Sequence, residues 1–448
     1  MPKPSVELKV HNSTCWITGL NMDQTKDLRE LMSYRLNPTI SYYTGGFKSD
    51  KRYLMTKKGA FPTGLLYIFE EYAKKTRMPY VLNDIRRAPR PLPSTSSMRM
   101  LYPPYELQKK ALESIYEGRG IIVAPTGFGK SYLIALIINK LNVKTLVVVP
   151  TLELKRQLTE TLSSLFTSQT PPFRVENVDA LDTKIPVTDC DCVIIDEFHH
   201  SASKTYRKLN EFCWSQIYYK FGLTATPFRS QDNERLLLES VLSKVIYEVD
   251  YSNAVDQGHI VPLEAYYIDV PRTKFTGNPK SWPSVYNSLI TLNHARNTII
   301  ALILARLSKA STPAICLVKE IEHGKKLVEL TGDPFANGQD GSLKQILTDF
   351  NSGKTTSIIG TTGVLGEGVD TKPCQFVVIA GLGKSRNAFM QQCGRAFRRF
   401  PGKDSAKVII FRDPTHKYTL NHFREQCRFL KEEYGVVPIK VDMGDGSS

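Results

Sequence analysis

Short apolar runs alternate with amphipathic stretches through the middle of the chain. Between about 105 and 250, runs rich in β-branched residues lie at 121–125, 145–150, 192–196 and 222–227, and helical patterns lie at 131–141 and 153–166. Continuous apolar strands separated by amphipathic helices are typical of a parallel sheet that is covered on both faces. This part of the chain is therefore predicted to form an α/β domain.

The same alternation returns between about 262 and 435. Strands are predicted at 314–318, 357–361, 375–381 and 407–411, and helices at 294–308, 343–350 and 387–400. The stretch 271–292 has no clear periodicity and is predicted to be an irregular insertion or loop. The fold class that follows is α/β, with two parallel-sheet domains in tandem behind a small basic α+β N-terminal domain.

One segment interrupts these patterns. Residues 88–104 are rich in Pro and Ser and are typical of a domain boundary. The predicted domains are a basic N-terminal domain at 1–95, a first α/β domain at 96–258 and a second α/β domain at 259–448. We expect few contacts to cross the boundary segment, so that the first domain would be separable from the rest.

Composition and charge restrict the class of protein. With 41% hydrophobic and 23% charged residues the chain is globular, and its eight cysteines are too few for a disulfide scaffold. No run approaches ~18 apolar residues, and the start lacks a signal peptide's apolar core, so we expect a cytoplasmic protein with no membrane segment, in the host cytoplasm if a phage encodes it. The net charge is +15, and the first hundred residues hold 17 Lys/Arg against 8 Asp/Glu. This surplus favours a polyanionic partner such as nucleic acid.

The strongest chemical motif spans 124–131, Ala-Pro-Thr-Gly-Phe-Gly-Lys-Ser, between an apolar strand and a helix. Glycines there let backbone N–H groups turn toward phosphates, the lysine charge faces the terminal phosphates, and the serine hydroxyl can bind Mg²⁺. The loop residues predicted to contact the nucleotide are Thr126, Gly127, Gly129, Lys130 and Ser131. The motif predicts a nucleoside triphosphate such as ATP, with Mg²⁺.

Two carboxylates follow the strand at 192–196. Asp196 is placed to hold Mg²⁺ through water, and the adjacent Glu197 to orient and deprotonate an attacking water. One carboxylate for the metal and a second for water is what nucleotide hydrolysis requires.

With these motifs in view, the chain resembles the superfamily 2 helicases and translocases. Asp196 to His199 together with 223–227, Leu-Thr-Ala-Thr-Pro, carry the resemblance. Further matches in the same order are Tyr105 to Gln108, 149–157, 360–370 and 391–398. The resemblance covers roughly 105–420, and it implies two RecA-like domains with ATP bound in the cleft between them.

The resemblance also implies roles for matching residues. Gln108 would read adenine, and Gly368 and Asp370 would lie near the nucleotide. His199, Thr224 and Thr226 would couple hydrolysis to strand binding. Strand contacts would come from Thr151, Gln157, Thr361 and Thr362. Gln391, Arg395 and Arg398 would reach the γ-phosphate. The family's motif between 157 and 196 has no clear match here.

Aromatic and basic residues interleave at 42–61 in the N-terminal domain. Tyr42, Tyr43, Phe47 and Tyr53 could stack on bases or simply fill a small core. Lys51, Arg52, Lys57 and Lys58 are expected to pair with phosphates. The stretch adds a candidate nucleic-acid surface outside the motor.

The leading functional hypothesis is an ATP-driven DNA helicase or translocase acting on branched DNA, since the chain resembles the phage UvsW-like branch-migrating helicases. It would unwind or branch-migrate forks, Holliday junctions or D-loops in replication, recombination or repair, as a monomer. A DExH-type RNA helicase is one alternative, although the chain shows no helical module typical of the RNA-processing members after its second α/β segment. A non-motor DNA-binding or remodelling subunit that uses ATP as a switch is another.

Overall fold

The computed structural model describes residues 6–35, 51–92, 102–166, 171–225, 232–275, 280–338, 341–365, 371–381, 383 and 385–442. These residues form two compact units. The first consists of Met1–Ala124 with Gly129–Val249, and the second of Pro125–Phe128 with Asp250–Ser448. The predictions made for Tyr42, Tyr43, Phe47, Thr226, Gly368 and Asp370 lie outside the described residues.

The N-terminal residues form a small α+β module. Its strands are β1 (Glu7–Val10), β2 (Thr14–Thr18), β3 (Ser33–Arg35), β4 (Lys51–Tyr53), β5 (Ala60–Pro62) and β6 (Val81–Asp84), and its helices are α1 (Met22–Leu31) and α2 (Leu66–Thr76). A four-stranded sheet has the order β5-β2-β1-β6, and β3 pairs with β4 separately. Side chains alternate along β1, so that Leu8 and Val10 enter the module's core while Lys9 faces solvent.

Contrary to the expectation from 88–104, the N-terminal module is tightly docked on the first α/β domain. Asn12 and Ser13, in the turn after β1, meet a buried lysine and a buried arginine of that domain. Lys220 Nζ donates to Ser13 Oγ at 2.7 Å, and Arg119 Nη2 donates to the Asn12 carbonyl at 2.9 Å. Lys220 is fully buried and its second acceptor is Asn210 Oδ1, also at 2.7 Å.

A second contact fixes the module from another side. The Tyr67 hydroxyl donates to the buried Glu239 carboxylate at 2.5 Å, and Leu236 packs on the module's core. At Gly64 a Cβ atom would lie 2.1 Å from the Glu239 carbonyl oxygen, so only glycine allows this approach. The expectation that few contacts link the module to the motor is therefore wrong.

The first α/β domain is built on a six-stranded parallel sheet with the order β12-β7-β11-β10-β8-β9. Its strands are β7 (Arg119–Val123), β8 (Thr145–Val149), β9 (Phe173–Asn177), β10 (Cys192–Ile195), β11 (Tyr219–Thr224) and β12 (Val245–Glu248). Its helices are α3 (Glu106–Ser114), α4 (Lys130–Leu141), α5 (Leu152–Leu165), α6 (Lys204–Lys208) and α7 (Asp232–Val241). The two strands that the sequence did not predict, β9 and β12, are the outermost strands of the sheet, where burial is incomplete.

The second α/β domain contains a seven-stranded parallel sheet with the order β15-β16-β14-β17-β18-β13-β19. Its strands are β13 (Leu263–Asp269), β14 (Ala314–Val318), β15 (Phe335–Ala336), β16 (Ser357–Thr361), β17 (Phe376–Ile379), β18 (Ala406–Arg412) and β19 (Ile439–Lys440). Its helices are α8 (Tyr251–Asp256), α9 (Trp282–Tyr286), α10 (His294–Lys309), α11 (Ile321–Thr331), α12 (Leu343–Asn351), α13 (Thr362–Leu365), α14 (Arg386–Cys393) and α15 (Lys417–Tyr434). The predicted tandem of parallel-sheet domains is confirmed.

Two sequence predictions in this domain need correction. The stretch 271–292 is not wholly irregular, because α9 continues into a π-helical turn at Asn287–Thr291. The helix predicted to run to residue 400 ends at Cys393 and is followed by a 3₁₀ turn at Gly394–Ala396. Within the described part of the chain no single helix is long and apolar enough to span a membrane, and only the bent pair Trp282–Thr291 and His294–Lys309 meets that test on length and composition.

Candidate nucleotide-hydrolysis site

Three neighbouring strands of the first sheet bring the predicted chemistry to one edge. The strands β7, β11 and β10 are adjacent and parallel, so their carboxyl ends meet. The phosphate-loop motif follows β7, the two carboxylates follow β10, and Thr224 ends β11. The Ala124 N–H donates to the Thr224 carbonyl at 2.9 Å, which ties the start of the loop to the end of β11. Residues that are distant in sequence thus share one site.

The loop has the backbone that phosphate binding needs. Gly127 and Gly129 have φ angles of 88° and 92°, in the left-handed region that favours glycine. A Cβ atom on Gly129 would lie 3.2 Å from Nε2 of the buried Gln108, so the predicted adenine-reading residue lies directly beside the loop. Lys130 is the first residue of α4, whose free N–H groups and positive dipole end favour an anion.

Lys130 and Glu197 face each other across this edge. The distance from Lys130 Nζ to Glu197 Oε1 is 3.8 Å. Glu197 itself has a φ of 49°, a conformation that is uncommon outside glycine and that often marks a functional position. Its backbone N–H donates to Asp196 Oδ1 at 2.9 Å, which orients the neighbouring carboxylate.

Asp196 lies in an environment that suits a cation. Burial, with the Glu197 charge added, raises the pKa of Asp196 above its ordinary value, and the Lys130 charge opposes this. Asp196 is 6% exposed, so water solvates its carboxylate poorly. A cation bound beside it would therefore be attracted strongly. A carboxylate and the Ser131 hydroxyl are oxygen donors of the kind that Mg²⁺ uses together with substrate phosphates, so these residues fit a magnesium-bound nucleotide.

His199 lies between Glu197 and Thr224. His199 Nδ1 lies 3.5 Å from Glu197 Oε2 and 3.1 Å from Thr224 Oγ1. Both His199 and Thr224 are buried, at 4% and 0% exposure. The structure therefore joins Lys130, Glu197, His199 and Thr224 into one continuous set of polar contacts within the first domain.

The predicted strand-contacting residues lie in both sheets. Thr151 caps α5, accepting from the Leu154 N–H at 3.2 Å, and Gln157 on the same helix donates to Glu153 at 2.6 Å. In the second domain, Thr361 ends β16 and Thr362 begins α13, so this pair follows a carboxyl strand end as well. Their nucleic-acid contacts stay predictions.

The predicted γ-phosphate residues all belong to the second domain. Gln391 lies on α14 and Arg395 in the 3₁₀ turn, each about 8% exposed. The Arg398 carbonyl accepts from Lys403 Nζ at 2.8 Å, and Lys403 also donates to the Cys374 carbonyl at 2.5 Å. Sequence reasoning missed Lys403, which fixes the backbone around Arg398; an isolated lysine in a turn gives no signal of that role.

Among the basic residues of the N-terminal module, exposure separates the candidates. Lys51 is ion-paired with Glu30, whereas Arg52, Lys57 and Lys58 are exposed. Lys57 and Lys58 lie in the turn between β4 and β5. Three of the four predicted phosphate contacts are thus accessible.

Two models of known protein families match the chain. Residues 101–185 and 174–229 match the model "Type III restriction enzyme, res subunit", and residues 289–400 match "Helicase conserved C-terminal domain". The chain belongs to the superfamily 2 helicases. The sequence resemblance to this superfamily is confirmed.

Individual relatives are distant. The chain is 25% identical to "Putative helicase 22" of Sulfolobus islandicus filamentous virus over 72% of its own length and 65% of the relative's. It is 24% identical to "ATP-dependent DNA helicase uvsW" of Enterobacteria phage T4, over 68% of this chain and 67% of that one. Among solved structures, Saccharomyces cerevisiae Dbp5 bound to RNA and ADP BeF3 aligns with a TM-score of 0.55 at 15% identity, covering 76% of this chain and 91% of that one. The chain spans between half and two thirds of the length of the first curated relatives that it matches.

Proposed function

We propose that this protein is an ATP-driven DNA helicase or translocase that unwinds or branch-migrates branched DNA. The observation that carries the proposal is the connected set Lys130–Glu197–His199–Thr224 at the carboxyl edge of the first sheet. It joins a phosphate-binding lysine and a general base to a residue of the motif that couples hydrolysis to strand movement.

In the proposed hydrolysis, the position of each residue decides which part of the nucleotide or which water it acts on. Lys130 and the N-terminus of α4 hold the β- and γ-phosphates, and Gln108 recognises adenine beside the loop. Glu197 accepts a proton from the attacking water, and Asp196 with Ser131 would hold Mg²⁺, which neutralises phosphoryl charge when bound. Arg395 and Arg398 supply further positive charge to the γ-phosphate in the transition state.

Coupling runs through His199 in this proposal. The charge around Glu197 changes when ATP binds and again when it is cleaved. His199 lies between Glu197 and Thr224. Thr224 ends a strand and is followed by the rest of the coupling motif. A shift in the His199 hydrogen bonds can therefore pass the state of the nucleotide to residues that are expected to contact the strand.

DNA is the proposed substrate, with RNA as the alternative. Four relatives are named DNA helicases or DNA translocases. The basic surplus of the first hundred residues gives the N-terminal module a surface for phosphates. A module that binds duplex DNA, beside a motor that moves along a single strand, suits a branched junction, because duplex and single-stranded DNA meet there.

The test is ATP hydrolysis and strand separation by the purified chain on matched substrates. We expect DNA to stimulate hydrolysis more than RNA of the same sequence, and forks, Holliday junctions and D-loops to be processed faster than linear duplex. Stronger stimulation by RNA would favour the RNA-helicase alternative. Nucleotide-dependent DNA binding without any strand displacement would favour the non-motor switch.

The role of the N-terminal module is tested without removing it, because it is docked through buried groups. Replacing Arg52, Lys57 and Lys58 by Ala should make the fall of log affinity with log salt shallower, by roughly 0.7–0.9 for each phosphate that is no longer neutralised. The control variant replaces Lys74 and Lys75, two exposed lysines of α2. An unchanged salt dependence would assign the module a purely structural role.

A further inference from the structure

A crevice opens at the carboxyl edge of the second sheet. The strands β14 and β17 are neighbours, but the chain leaves β14 toward β15 on one side and leaves β17 toward β18 on the other. In open α/β sheets such a reversal leaves a crevice outside the carboxyl ends of the two strands, and ligands bind there. Among the residues that the structure describes, those that line this crevice include none of the proposed hydrolysis and coupling residues.

The crevice contains a cavity of about 500 Å³, within the ~300–1,000 Å³ range of small-ligand sites. It is built by the segment that lacked periodicity in the sequence, together with the turn after β14. Its lining includes Trp282, Tyr286, Asn287, Thr291, Lys319 and Glu322. The π-helical turn Asn287–Thr291 forms part of the wall, and π-helical turns occur often at functional sites.

Two buried hydroxyls belong to this wall. Thr291 is 1% exposed, and its Oγ1 makes no hydrogen bond within the described part of the chain. Tyr286 is 3% exposed, and its hydroxyl approaches the backbone after β17 so closely that a Cβ atom on Gly381 would lie 2.2 Å away. A buried, unsatisfied Thr291 hydroxyl beside an open cavity is what a polar ligand would satisfy.

Aromatic rings pack together on one side of the cavity. The Trp282 ring packs against His422 with centroids 4.1 Å apart, and against Tyr286 at 5.6 Å. Lys319 Nζ lies 5.3 Å from the centroid of the Tyr286 ring. A half-buried indole that is supported from behind offers a flat surface on which an aromatic ligand can stack.

The polar groups at the mouth define the ligand's chemistry. Glu320 and Glu322 are exposed carboxylates that can accept from amino groups, and Lys319 can pair with an anion. The Lys319–Glu320 ion pair, at 3.5 Å, is about half exposed, so it is weak and can open. A ligand with a flat ring, an exocyclic amine and one negative charge meets all of these groups.

We propose that this cavity binds one unstacked nucleobase of a single strand, stacked on Trp282, with its exocyclic amine at the Glu320 and Glu322 carboxylates and its phosphate at Lys319. The inference rests on the proposed function, since it gives the motor's strand a base contact in the second domain. It makes the contact selective, because cytosine and adenine carry an exocyclic amine whereas thymine does not.

The test uses tryptophan fluorescence. The chain has three tryptophans. Trp214 is fully buried and Trp16 is 45% exposed, so Trp16→Phe leaves Trp282 as the accessible reporter. Titrating this variant with oligodeoxycytidylate should quench its fluorescence. Oligothymidylate of equal length should bind about tenfold more weakly, the scale of a lost hydrogen bond to a charged acceptor. Trp282→Ala in the otherwise unchanged chain should weaken binding of oligodeoxycytidylate by about tenfold, the scale of stacking one base on an aromatic side chain.

Two gentler variants keep the test valid if Trp282→Ala does not fold. Thr291→Val keeps the side-chain shape and should weaken binding of both oligonucleotides. Glu322→Gln should reduce the preference for cytosine over thymine, whereas Glu329→Gln, an exposed residue on the same helix, should leave it unchanged. Equal binding of both oligonucleotides, or strand binding that none of the three variants alters, would overturn the inference alone. A wild-type chain that binds neither oligonucleotide would contradict the proposed function.

Discussion

The two parallel sheets place different side chains at the same topological position. In the first sheet the reversal lies between β7 and β11, and in the second between β14 and β17. The first crevice is lined by a lysine, acidic residues and glycines with positive φ, whereas the second is lined by a tryptophan, a tyrosine and buried hydroxyls. Chain topology creates a crevice in both domains, and side-chain chemistry decides whether a triphosphate or an aromatic group suits it.

The difference extends to the amino edges of the sheets. Two basic residues, Arg119 and Lys220, lie opposite each other near the starts of β7 and β11 and bind the N-terminal module. An inner strand of the second sheet, β14, starts instead at Ala314, inside an apolar cluster. The first sheet thus has a role at both edges: the proposed hydrolysis at the carboxyl edge, and docking of the N-terminal module at the amino edge.

The largest effects are expected from substitutions of the charged residues in the first crevice. Lys130→Ala should abolish ATP hydrolysis, since the phosphates lose their point charge. Glu197→Gln should still bind ATP but turn it over at least ~10²-fold more slowly, the scale of a lost general base. Steady-state hydrolysis and nucleotide binding measure both, with Glu160→Gln on an exposed face of α5 as control. Near-normal turnover in Glu197→Gln would reject it as the base.

A smaller effect tests whether the second domain also contributes to the chemistry. Arg398→Ala should lower turnover by at least about tenfold, while nucleotide affinity stays within an order of magnitude, because the guanidinium serves the transition state. Arg412→Ala, which breaks only a surface pair with Asp269, is the control. A collapse of affinity with unchanged turnover at saturation would make Arg398 a binding residue.

A smaller effect is expected from breaking the contact between His199 and Thr224 in the first crevice. Thr224→Val removes the hydroxyl near His199 while keeping the side-chain shape. We expect the stimulation of ATP hydrolysis by DNA to fall about fivefold, the scale of one hydrogen bond, with less change in hydrolysis without DNA. Equal losses under both conditions would show that Thr224 supports the active site rather than the coupling.

The smallest effect concerns the docking edge. Burial, with the nearby Arg119 charge added, holds the pKa of Lys220 well below its ordinary value. The unfolded chain therefore binds more protons than the folded chain between that lowered pKa and about 10.5, and Lys220's contribution to the free energy of unfolding should rise with pH in this window. In Lys220→Met this rise should disappear. Denaturant unfolding at several pH values compares the two chains, and parallel pH profiles would contradict the assignment.

Sequence patterns predicted the central elements well, for a physical reason. Buried central strands such as β14 and β16 are continuous apolar runs, and their predicted and observed bounds coincide. Edge strands such as β9 and β12 are only partly buried, so they carry mixed sequences that no periodicity reveals. The prediction of an irregular loop at 271–292 was wrong for a related reason. A short helix that continues into a π-helical turn follows no 3.6-residue repeat.

By itself, the sequence determined the two α/β domains, the phosphate loop at 124–131, the Asp196–Glu197 pair and the superfamily, because these depend on residue types at short spacing. Only the tertiary structure brought Glu197 beside Lys130 and His199 beside Thr224, since these contacts join the ends of separate strands. It alone revealed that the N-terminal module is docked through Lys220 and that Trp282 helps to line a cavity at the second sheet's reversal. Contacts between residues far apart in the chain depend on strand order, and strand order is a property of the packed fold rather than of any local pattern.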